Sequence, residues 1–65
     1  MADICLNAIR REFADLTGLL EDAALIASEG QGLKTLDCAR HRLRRLSKVM
    51  QRIHRRLVTL EWRLK

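Results

Sequence analysis

Asp37, Cys38 and His41 are the residues whose types and spacing come nearest to metal chemistry. Separations of three and four residues bring Asp37 and Cys38 to one face of a helix with His41. A tetrahedral site needs a further ligand pair, and the sequence supplies none, so the expectation is a solvated face. His54 falls beside an apolar seam and level with Arg10, a structural position rather than a catalytic one. Cys5 and Cys38 are expected at opposite ends of the molecule, about 28 Å apart at the helical rise. That excludes an intrachain disulfide and favours reduced thiols and a cytoplasmic setting. There is no glycine-rich phosphate loop, no nucleophile with a base, and no pair of catalytic carboxylates. The expectation is therefore no enzyme, no cofactor and no small-molecule substrate.

What remains is a row of cations. His41, Arg44, Lys48, Arg52 and Arg55 fall along one outer helical line, with Arg45 and Arg56 alongside. Such a line can follow phosphates, with steeply salt-dependent binding. Arg44, Arg45, Lys48, Arg52, Arg55 and Arg56 are the candidates for polyanion contact. As read from the sequence, the row holds no aromatic residue on which a base could stack. It also has no helix-turn-helix layout, so sequence-specific reading is not expected.

The elements that position these groups follow from the apolar pattern. Leu36, Ala39, Leu43, Leu46, Met50, Ile53, Leu57, Leu60 and Leu64 alternate steps of three and four, the seam of a helix packed along its length. Ala2, Leu6, Ile9, Phe13, Leu16, Leu20, Ala23 and Ala27 repeat the pattern upstream. Between the two runs, Glu29-Gly30-Gln31-Gly32 is the only punctuation, and its glycines suit a left-handed helix end. The fold class is all-α: an antiparallel, coiled-coil-like two-helix hairpin occupying 1–65 as one unit, with helix 1 over about 3–28, a turn at 29–32 and helix 2 over about 33–64. Asp3 is the expected cap of helix 1, and Thr35 or Gly32 that of helix 2. Folded about 31–32, the chain sets Ile9 beside Ile53, Leu16 beside Leu46 and Phe13 beside Met50, apolar against apolar throughout.

At 65 residues the chain is near the lower limit for burying a core of its own. Residues left beside the seam, namely Cys5, Leu19, Ile26 and Val49, with Trp62 further out, are the candidate partner-binding set. A homo-oligomer or a protein partner is expected to complete a helical bundle. Net charge is +5, unevenly spread. Residues 1–29 carry six carboxylates against two arginines, and 30–65 carry eleven Lys and Arg against two carboxylates. The far flank pairs Asp3 with Glu61 and Arg10 with His54, so the halves are not expected to neutralise one another there. No apolar run is long enough to span a bilayer, and the seam of helix 2 is matched by helix 1, so membrane insertion is not expected.

In length, paired seams and turn position, the chain resembles the two-helix co-chaperones of type III secretion needle subunits. That resemblance implies a hairpin that binds a larger helical-repeat chaperone, with Leu19, Ile26 and Val49 as candidates for the partner face. The arginine content of helix 2 departs from the pattern. The layout also resembles a plasmid copy-number regulator whose hairpins dimerise and bind paired RNA hairpins. This second likeness implies a nucleic-acid-binding four-helix bundle, with the basic row as its RNA face.

Overall fold

The computed structural model describes residues 5–65. The expected Asp3 cap and the Ala2 end of the seam lie outside them. The chain is an all-α helical hairpin: α1 (Leu6–Glu29) and α2 (Leu36–Arg63) pack against each other around a short turn. The molecule measures 53 × 15 × 11 Å.

Leu and Ala dominate α1 and Leu and Arg dominate α2, and all are strong helix formers. Gly18 is tolerated inside α1 because it faces open space, with nothing within 4 Å of where a Cβ would stand. At the start of α2, Thr35 is extended (φ −127°, ψ 153°) and its hydroxyl oxygen accepts from the Cys38 N–H at 3.2 Å, which settles the cap on Thr35 rather than Gly32.

The turn differs from the expected one. No glycine has positive φ, so the left-handed end anticipated at Gly30 or Gly32 is not used. Instead α1 tightens into a 3₁₀ turn, Gly30–Gly32, and Leu33 leaves it extended at φ −70°, ψ 140°. The reversal therefore occupies 30–35, and α2 begins three residues later than the pattern suggested.

This later reversal moves the register. Arg56 bonds Asp15 at 3.0 Å and Arg42 bonds Glu29 at 2.9 Å. Those pairs slide the helices by about one heptad, about 10 Å, relative to a fold about 31–32. This register sets Ile9 level with Leu60, Leu16 with Ile53 and Ala23 with Leu46; Ile9, Leu16, Ala23, Ile53 and Leu60 form the core, with Leu19, Leu46 and Val49 packed against it. The pairings Ile9 with Ile53 and Leu16 with Leu46 are thereby replaced. A heptad slide keeps apolar opposite apolar, so the seam alone cannot choose between the two registers.

Each helix is also rotated about its axis from the expected facing. The row Leu6, Phe13, Leu20 is exposed, as is Leu36, Leu43, Met50, Leu57, Leu64 on α2. The row that turns inward beside the core is Glu12, Leu19, Ile26, against Arg42, Val49 and Arg56. Exposed surface totals 5631 Å² for 7.5 kDa. A compact monomer of that mass exposes about 4,250 Å², so the hairpin leaves roughly a third more surface in water than its size requires.

Candidate interaction faces

The rotation gives the hairpin three distinct sides, each built by particular rows of α1 and α2. The first is a closed, charged flank. Arg56 meets Glu12 at 3.5 Å and Asp15 at 3.0 Å, Arg63 meets Glu12 at 3.7 Å, and Arg42 meets Glu29 at 2.9 Å. The acidic half does neutralise part of the basic half, on this flank rather than on the Arg10–His54 side. Arg42 is the best sheltered of these cations, its stem lying 3.7 Å from where a Gly30 side chain would begin. Its Nε is buried without a partner, the local cost of laying that stem along the helix junction.

The second side is apolar. Phe13, Leu57 and Leu64 line one shallow groove between the helices. Ala27, Leu43 and Leu46 line another toward the turn. Phe13 is 55% exposed and Met50 47%, so this side is a continuous row of large hydrophobic groups in water rather than scattered single residues. Thr17 and Ala24 on α1, and Ser47 on α2, border its middle, while Arg10, Arg40 and Glu61 stand on the same edge rows toward its ends.

The third side is the outer half of α2. Arg44, Arg45, Lys48, Arg52 and Arg55 are all exposed there, and among the described residues none reaches a carboxylate within 4 Å. Arg56, expected in the same set, turns instead to Glu12 and Asp15. The candidates for polyanion contact are thus reduced by one.

The candidate partner-binding residues do not come together as one uncovered face. Ile26 is only 6% exposed, and Leu19 and Val49 lie half-buried against the core. Cys5 opens α1 and is exposed, far along the rod from the equally exposed Cys38. Trp62 is 70% exposed near the end of α2, with the Lys65 ammonium 4.6 Å from its ring centre. The face that sequence reasoning missed is the apolar row itself, which had been assigned to the interior. The signal was present in the polar residues: Glu12 on the α1 row of Leu19 and Ile26, and Arg42 and Arg56 on the α2 row of Val49, mark the flank that can close by ion pairing.

Asp37 pairs with Arg40 at 3.1 Å. Among the described residues, no three His, Cys, Asp or Glu side chains gather in a way that would hold a metal ion. No helix among them is long and apolar enough to cross a membrane. Comparison with protein-family models, with curated proteins and with solved structures finds no match for this chain.

Proposed function

We propose that the chain is a non-enzymatic protein-interaction module that docks helices on its apolar side, completing a four-helix bundle with a second copy of itself. The observation that carries this reading is the row Leu6, Phe13, Leu20 beside Leu43, Met50, Leu57 and Leu64, all exposed along one side of the hairpin. Two such hairpins placed face to face would each cover surface of the order found in stable complexes, about 800 Å² per partner. That figure sits within the excess the hairpin exposes over a compact monomer. Charge favours the arrangement as well. Arg44, Arg45, Lys48, Arg52 and Arg55, which have no ion pair among the described residues, lie on the outer side of α2 away from the apolar row, so a second copy brings none of these five across the interface, although Arg10 stands at its α1 edge.

The type III secretion co-chaperone likeness agrees with this chemistry, since a hairpin of that kind lends an apolar side to a helical-repeat chaperone in the cytoplasm. In such a complex the partner chaperone takes the place of the second copy.

The test is solution mass by light scattering across the micromolar range. The wild-type chain is expected above the 7.5 kDa of a single copy. Leu20→Asp, which alters an exposed side chain and leaves the core intact, should return it to the single-copy mass with its helix content preserved. A wild-type chain that stays monomeric over that range would overturn the self-docking reading.

A further inference from the structure

We propose that the outer side of α2 is a binding site for single-stranded nucleic acid, with its phosphates along Arg44, Arg45, Lys48, Arg52 and Arg55 and a base stacked on Trp62. The site lies on a different side of the hairpin from the apolar row and does not depend on what covers that row.

Three observations converge on it. The first is an absence of internal partners. Among the described residues, Arg40, Arg42, Arg56 and Arg63 each reach a carboxylate within 4 Å, whereas the five cations of the outer side do not. Asp22 and Glu29 share a groove with Arg45, Lys48 and Arg52 without bonding any of them. The second is continuity. From Cys38 to Lys65 the three adjacent helical rows that carry these cations, those of Arg44, Arg45 and Lys48, contain no carboxylate. Arg44, Lys48, Arg52 and Arg55 follow at steps of about 4.5 to 6 Å along the axis, so successive phosphates of one strand can each meet a cation. The third is Trp62. It stands one heptad beyond Arg55 on the row of His41 and Lys48, and 70% of it is in water. An indole is costly to leave exposed and gains most from a flat apolar partner.

Cations in line with an exposed ring are the two parts that recognise an unpaired strand. The cations track its backbone and the ring takes an unstacked base. A duplex offers the same phosphates but no free base face. An anionic membrane would need an apolar wedge along the helix, and this side has only Val58 and Trp62 at one end.

Trp62 is the only tryptophan and the chain has no tyrosine, so indole fluorescence reports on this ring alone. The full-length chain would be titrated with single-stranded oligothymidylate, a duplex of equal length, inorganic polyphosphate and anionic phospholipid vesicles. The expected result is quenching by the single strand only, with affinity falling steeply as salt rises. Arg44→Ala, Arg52→Ala and Arg55→Ala should each weaken binding and flatten the salt slope. Followed by titration calorimetry, since no indole remains, Trp62→Ala should weaken single-strand binding by about 5- to 150-fold and leave polyphosphate binding unchanged, with Trp62→Phe intermediate. Equal affinity for single strand, duplex and polyphosphate without quenching would overturn the proposal, leaving a generic cationic surface. A fluorescence response to vesicles alone would overturn it in favour of a lipid surface.

Discussion

Leu16 and Phe13 lie less than a turn apart on α1 and both belong to its apolar pattern, yet they face different surroundings. Leu16 is 5% exposed in the core and Phe13 55% exposed outside it. Replacing each by Ala separates the packing of the hairpin from the packing between hairpins. Leu16→Ala removes a buried side chain and opens a cavity, at a cost of about 3 kcal/mol. That cost belongs to the single chain and should be the same at every protein concentration. A phenylalanine carries about 200 Å² of side-chain surface, so with 55% exposed about 110 Å² of the Phe13 ring remains in water. Covering it in a complex would contribute about 2.5 to 3 kcal/mol per copy. Phe13→Ala should therefore cost only about 1 to 2 kcal/mol in dilute solution, from the part of the ring already covered, and more than twice that once the wild type assembles. Urea melts followed by circular dichroism at the two ends of the micromolar range measure both numbers. If Phe13→Ala costs the same at both ends, the ring belongs to the inner packing and the open apolar side is not an interface.

Two other substitutions probe the hairpin itself. Gly18→Ala places a methyl group in open space inside α1, and should raise thermal stability by about 1 kcal/mol, read from the melting midpoint. The Arg56–Asp15 pair, 43% and 55% exposed, should show a coupling below about 1 kcal/mol in a double-mutant cycle because solvent screens it. A markedly larger coupling would mean that this flank is shielded from water.

Both helices and their antiparallel packing could be read from the residues, because the three-and-four spacing of Ile9 through Ala23 and of Leu46 through Leu60 admits no other regular structure, whereas the α2 cap stayed open between Thr35 and Gly32 until the Thr35 hydroxyl contact decided it. Register was not legible, for a definite reason. A heptad pattern laid against another matches equally well after a slide of one repeat, and only the conformation of 30–35 selects the match. The sequence suggested glycines in left-handed turns. The chain instead uses a 3₁₀ turn followed by an extended Leu33 and Thr35. Facing was also hidden. Three neighbouring rows on each helix can serve as an interior, and apolar content alone favours the row that contains Phe13 and Met50. The choice goes to the flank where Arg42, Arg56 and Arg63 find Glu29, Glu12 and Asp15. For that reason Ile26, Leu19 and Val49 moved from the expected partner face into the hairpin. The basic row was legible as a line of charges, but the place of Trp62 at its end was overlooked.

Among the described residues the hairpin bares a single continuous apolar side, and this bears on how large any self-assembly can grow. A molecule adhesive on two opposite sides adds subunits without limit and becomes a filament. One adhesive on a single side closes after its first mate, since the pair then offers only charged exteriors to newcomers. Those exteriors repel each other more strongly than single chains do, because each chain brings a net charge of +5. Pairing of this kind would end its own growth, and solubility should improve rather than suffer when the two halves meet.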